Sequence, residues 1–240
     1  MGLSPFLNRL RDVFHSYLRN MDSDAENNPT VFVVDDDRQA LDSLKVLLDV
    51  LGFEVRAFSS PGSFSRFYRA DMPGCLLLDI RMPRQNGLEL YEQLLREGKR
   101  IPVIFITAHA DVSTAVAAMK TGAIEFLEKP FDLETLLDGV RKAMALDAEW
   151  RQREAQYAAM ESRVGRLNER DRQTLELVLA GESNKSMAAK LFLTERAVEM
   201  RRSSIMRKLQ VESVAELLDL TVTHRVLTEL REATGEQRFR

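Results

Sequence analysis

From residue 30 onward, short apolar runs alternate with stretches whose apolar residues recur every three or four positions. The runs "TVFVV" (30–34), "FEVRAF" (53–58), "CLLLDI" (75–80), "IPVIFIT" (101–107) and "AIEFLEKPF" (123–131) are too short for buried helices and rich in β-branched and aromatic residues, so they predict five strands. Between and after them, "DRQALDSLKVLLDVLG", "SPGSFSRFYRA", "LELYEQLLREG", "DVSTAVAAMKTG" and "DLETLLDGVRKAMAL" carry helical periodicity, and several end at glycine, the usual stop signal. Strict alternation of strand and helix predicts a parallel sheet wrapped by helices on both faces.

In such a sheet, ligands sit beyond the carboxyl ends of the strands. That rule selects Asp35 and Asp36 after the first strand, Asp79 at the end of the third, Thr107 at the end of the fourth and Lys129 at the end of the fifth. Three consecutive carboxylates, Asp35, Asp36 and Asp37, follow the apolar first strand. One suffices to cap the next helix. The others repel each other unless a hard cation lies between them, which makes this edge a candidate cation site.

The second half is helical. Leu146, Trp150, Tyr157, Met160, Val164 and Leu167 form a heptad seam, broken at Arg153, and predict a helical linker that can dimerise in parallel. Beyond it, one helix runs to Ala180, "NKSMAAKLF" forms a second, Thr194 caps a third that extends through Leu209, and a fourth spans roughly residues 212–224. A short helix, a tight turn and a longer helix bearing Arg196, Arg201, Arg202, Arg207 and Lys208 make a helix-turn-helix candidate.

Composition narrows the function classes. A net charge of -3 argues against a surface that coats nucleic acid uniformly, so DNA binding must come from a local basic face. The single cysteine, Cys75, lies within an apolar run, excludes an internal disulfide and fits a reducing cytoplasm. No apolar run reaches the roughly 20 residues a membrane span needs, so stable membrane insertion is not expected. Ahead of the first strand, Leu3, Phe6, Leu7, Leu10, Phe14, Tyr17, Leu18 and Met21 predict an amphipathic helix, and residues 22–29 a polar linker.

Residues 30–145 resemble the receiver domain of two-component response regulators. The segments that carry the resemblance are "VVDDD", "LLLDIRMPRQNGLEL", "ITAHAD" and "FLEKPF", in that order and at that spacing. The resemblance implies a flavodoxin-like α/β fold in which Asp79 accepts a phosphoryl group from a sensor histidine kinase. Mg2+ or Mn2+ would be held by Asp36, Asp79 and the backbone carbonyl of Arg81, with Asp35 acting through water. It further implies that Lys129 pairs with the phosphoryl group, that Thr107 and Phe126 act as a switch, and that the bond to Pro130 is cis. A hydrolase of phosphate esters built on the same carboxylates would need a second catalytic Asp two residues after the nucleophile, where Arg81 stands.

Residues 166–225 resemble the LuxR-type, four-helix DNA-binding domain of NarL/FixJ-type regulators, through "NKSMAAKLFLTERAVE" and "IMRKLQV". By that resemblance Glu199, Met200 and Ser203 face base edges, while Lys185, Thr194, Arg196, Arg201, Arg202 and Lys208 contact phosphates. Ala197 and Glu199 depart from the usual threonine and lysine, so the target sequence does not carry over. The expected organisation is an N-terminal segment (1–29), a receiver (30–145), a helical linker (146–165), a DNA-binding domain (166–225) and a tail (226–240). The expected partners are a sensor histidine kinase, double-stranded promoter DNA, a second copy of the chain through linker and receiver, and RNA polymerase.

Overall fold

The computed structural model describes residues 28–109 and 111–233. The helix expected over residues 3–21 lies outside them. The chain divides into two compact units at Trp150/Arg151.

In the first unit, β1 (Thr30–Val34), β2 (Glu54–Phe58), β3 (Gly74–Asp79), β4 (Val103–Thr107) and β5 (Glu125–Glu128) form one parallel sheet in the order β2-β1-β3-β4-β5. This is the flavodoxin-like order, with its crossover reversal between β1 and β3. Strand side chains alternate between faces. Val31, Val33, Cys75, Leu77, Ile104 and Ile106 therefore join one apolar cluster, and Phe32, Val34, Leu76, Leu78, Val103 and Phe105 the other. Burial on both sides explains why these strands read as unbroken apolar runs. Helices α1 (Arg38–Val50) and α5 (Leu133–Val164) cover the first face through Leu41, Leu44, Leu48, Leu136, Leu137 and Val140. Helices α2 (Pro61–Phe67), α3 (Gly87–Arg96) and α4 (Val112–Lys120) cover the second, through Phe64, Leu90, Leu94 and Ala118.

At the amino end of β3 the backbone comes very close to β1. A Cβ on Gly74 would lie 1.9 Å from the Thr30 carbonyl oxygen, so only glycine fits. The Gly74 N–H donates to the buried carboxylate of Asp147 at 2.8 Å. Asp147 lies on α5, which runs unbroken for 32 residues and includes the expected linker up to Val164.

The second unit contains the end of α5 and α6 (Glu169–Leu179), α7 (Asn184–Leu191), α8 (Glu195–Leu209) and α9 (Val214–Ala233). Their core holds Leu167, Leu175, Ile205, Leu209, Val211, Leu217 and Leu220, with Met187, Ala188 and Val198 in a smaller cluster under α7 and α8. The last helix was expected to stop near His224, yet it continues to Ala233. No glycine or proline interrupts residues 214–233, so nothing in the backbone ends it sooner.

The heptad seam also finds a different partner within its own chain. Val164 and Leu167 join the core of the second unit. The Tyr157 ring stacks on His224 at 5.8 Å, and the Arg231 guanidinium lies over the Tyr157 ring, 4.1 Å from its centre. Tyr157, Val164 and Leu167 of the seam are thereby packed on α9 and the core of the second unit.

Candidate functional site

The three aspartates after β1 do different work. Asp37 is the N-cap of α1 and accepts from the N–H groups of Gln39 at 2.9 Å and Ala40 at 3.5 Å. Asp35 is almost fully buried; one carboxylate oxygen accepts from the Asp37 N–H at 2.9 Å and the other from Lys129 Nζ at 2.7 Å. Asp36 is exposed. Asp79 ends β3 beside them, 6% exposed, with Lys129 Nζ 3.4 Å from its Oδ1. Carboxylate oxygens of Asp35, Asp36 and Asp79 lie within 4.8 Å of one another.

Burial raises the Asp79 pKa to about 6; Lys129 opposes that shift, Asp35 reinforces it, and the Arg81 N–H, donating to the carboxylate, opposes it. Lys129 is pushed the other way. Burial lowers its pKa, but the hydrogen bonds and charges of Asp35 and Asp79 outweigh that and leave it above the ordinary lysine value. One ammonium thus faces three carboxylates, an excess of negative charge with oxygen donors only. Such a donor set suits a hard divalent cation such as Mg2+ or Mn2+ rather than a thiophilic metal.

The loop after β3 is shaped for the site. A Cβ on Gly87 would fall 2.3 Å from the Asp79 carbonyl oxygen, and the Gly87 N–H donates to the Ile80 carbonyl at 2.9 Å. Glycine therefore lets α3 begin directly against the end of β3. Asn86 and Glu89 close that helix start with a reciprocal capping box. Thr107 is fully buried at the end of β4, and its hydroxyl donates to the His109 carbonyl at 3.2 Å and accepts from the His109 N–H at 3.3 Å. Phe126 is half-buried against the second-face cluster. The Lys129–Pro130 bond is cis.

In the second unit, α7 and α8 form the helix-turn-helix. Ser183 caps α7 and Thr194 caps α8, accepting from the Ala197 N–H at 3.2 Å. Val198, Ile205 and Leu209 anchor α8 in the core, while Arg196, Glu199, Met200, Ser203 and Arg207 form an exposed stripe at steps of three and four. Arg202 Nη1 donates to Asn184 Oδ1 at 2.6 Å, tying α8 to the start of α7. Phe192, in the turn, is 96% exposed and takes a left-handed backbone with φ 55°.

Two family matches cover these units: residues 31–141 match the response regulator receiver domain, and residues 166–221 match the bacterial regulatory proteins of the luxR family. The response regulator protein TodT of Pseudomonas putida F1 is 37% identical over 204 residues, covering 85% of this chain and 88% of its own length. The transcriptional regulatory protein FixJ of Bradyrhizobium diazoefficiens is 35% identical over 199 residues, covering 83% and 97%. The solved structure of the response regulator StyR superposes with a TM-score of 0.78 at 43% identity, covering 82% of this chain and 99% of that one.

The chain is a response regulator.

It belongs to the two-component regulators that join a receiver domain to a LuxR-type DNA-binding domain, and its role is transcriptional regulation. Of the residues expected from sequence at the receiver site, Asp35, Asp36, Asp79 and Lys129 come together in this response regulator, with the Arg81 N–H on Asp79. The Thr107 hydroxyl is turned toward the His109 backbone. On α8, Glu199, Met200, Ser203 and Arg196 share the exposed stripe, and Lys185 is exposed on α7. Lys208 is placed otherwise: its ammonium pairs with the buried carboxylate of Asp171 on α6. Arg207 takes the exposed position instead. Helical phase carries that signal, since residue 207 lies eleven positions, close to three full turns, after Arg196.

Proposed function

We propose that this response regulator takes a phosphoryl group from a sensor histidine kinase onto Asp79 and then binds promoter DNA as a dimer. The observation that carries the reading is the Asp79 carboxylate at a strand end, bracketed by Lys129 and crowded by Asp35 and Asp36. Asp79 Oδ attacks phosphorus, the P–N bond to the kinase imidazole breaks, and the new acyl phosphate bears the charge. Asp36, Asp79 and the Arg81 carbonyl would hold Mg2+ or Mn2+ directly and Asp35 through water; the bound metal offsets the repulsion between carboxylate and phosphoryl oxygens. Lys129 then exchanges its contact with Asp79 for a phosphoryl oxygen. The Thr107 hydroxyl leaves the His109 backbone for the same group, and Phe126 turns inward into the room this frees. No activity beyond loss of its own phosphoryl group is assigned to the chain.

The receiver spans residues 30–145, the linker 146–165 and the DNA-binding domain 166–225, with residues 1–29 and 226–240 flanking them. Exposed Val112, Val116 and Met119 on α4 support dimerisation through the receiver. The packing of Tyr157, Val164 and Leu167 within the chain argues against the linker seam as the first dimer contact. Glu199, Met200 and Ser203 read base edges, with Lys185, Thr194, Arg196, Arg201, Arg202 and Arg207 on phosphates. The chain works in the cytoplasm, where RNA polymerase is its final partner. No helix among the described residues is long and apolar enough to cross a membrane.

The test is incubation with Mg2+ and acetyl phosphate, followed by intact mass. A gain of one phosphoryl group, lost in Asp79→Asn, is expected; an equal gain in the variant overturns the assignment.

A further inference from the structure

The end of the linker helix grips the end of the DNA-reading helix. Arg163, in the last turn of α5, donates Nε–H to the Leu209 carbonyl at 2.6 Å and Nη2–H to the Gln210 carbonyl at 2.9 Å. These are carbonyls that close α8, where Gln210 takes a left-handed cap conformation with φ 54°. The last carbonyls of a helix lack partners within it and carry the negative end of its dipole. A planar, charged guanidinium fork answers both demands at once. Around this clamp Val164 and Leu167 pack with Ile205 and Leu209. Farther back along α5, Tyr157 bonds Thr228 at 3.1 Å and Glu154 bonds Arg231 at 2.7 Å. The segment is thus fixed to α9 along its length and to α8 at its tip.

We infer that Arg163 is a positioning residue for DNA recognition: it fixes the carboxyl end of α8 and so the angle at which the stripe from Arg196 to Arg207 enters the groove. The inference rests on the DNA-binding reading above. Base-edge hydrogen bonds from short side chains such as Ser203 fail with small displacements, whereas long arginines and lysines follow a phosphate through them. Releasing the clamp therefore harms specific binding and spares non-specific binding.

The test uses the full-length chain with Mg2+ and beryllofluoride. The probes are a duplex selected by the wild-type chain from a random-sequence pool and a scrambled duplex of equal length. Arg163→Ala is expected to weaken the selected duplex by about three- to tenfold, the scale of losing one helix-end contact. The scrambled duplex and the slope of log affinity against log salt should not change. Arg163→Lys, which keeps charge and one donor direction, should recover part of the loss. Circular dichroism at the assay temperature shows that each variant is folded. Equal weakening on both duplexes with a slope smaller by about one contact would make Arg163 a direct phosphate ligand and overturn the inference. Unchanged affinity in folded Arg163→Ala would reduce it to a stability cap. A wild-type chain that selects no duplex refutes the DNA-binding reading itself, a result distinct from either failure of Arg163.

Discussion

Asp37 uses its carboxylate on the first amides of α1, whereas Asp35 is sunk beneath the surface and tied to Lys129, so neighbouring, chemically identical residues differ by location alone. Asp79 bears the cost of its own burial, to which the charge of Asp35 adds. Its folded pKa of about 6 lies above the ordinary carboxylate value near 4, so the folded state holds its proton more tightly than the unfolded state does. Stability from this group is fully present below pH 4 and is lost as pH rises through 6, by up to about 3 kcal/mol. Asp79→Asn removes the titration. In chelator, urea unfolding of the variant should show a flatter pH dependence between 4 and 7 and greater stability than wild type at pH 7.5. Added Mg2+ should narrow the difference by stabilising wild type more. Phe192 offers a second residue-scale test. It holds a left-handed backbone with its ring in water, so Phe192→Gly should raise the stability of the second unit by about 0.5–1 kcal/mol in the same assay.

Helix α5 shows what sequence periodicity specifies and what it omits. A seam at steps of three and four says that one face is buried, but not against which helix. Here Tyr157 meets His224, Thr228 and Arg231 of α9, so Tyr157→Ala should cost the second unit about 1–2 kcal/mol, read as a lower urea midpoint at unchanged slope. The strands were legible because runs such as "VFVV" and "CLLLD" are buried on both faces, and the strand-end rule then gathered Asp35, Asp36, Asp79, Thr107 and Lys129 before any likeness was invoked. The long-range pairings were not legible. Lys208 looks as available as Arg207 in the sequence, and only the fold brings Asp171 beneath it. Burial works against ionising Asp171, yet the Lys208 hydrogen bond, the Asn168 N–H and the charges of Lys208 and Arg201 hold its pKa below the ordinary value. The length of α9 was legible in principle, from the lack of any breaker between Val214 and Ala233.

At the scale of the molecule, the in-chain packing of the linker seam decides what phosphorylation has to accomplish. A parallel coiled coil through Tyr157, Val164 and Leu167 would require each chain to give up their contacts with α9 and the core around Ile205 and Leu209. Exchanging contacts of equal kind offers little net driving force, while joining two chains costs several kcal/mol of translational and rotational freedom. The linker alone should therefore not hold a dimer. Light scattering after gel filtration is expected to give the mass of one chain without a phosphoryl mimic, and of two chains with Mg2+ and beryllofluoride. Replacing Val116 by Lys on the exposed apolar stripe of α4 should keep the second sample at one chain without changing acetyl phosphate labelling of Asp79. Two chains under both conditions would mean that the chains assemble without a phosphoryl group, leaving phosphorylation to rearrange an existing dimer rather than to assemble one.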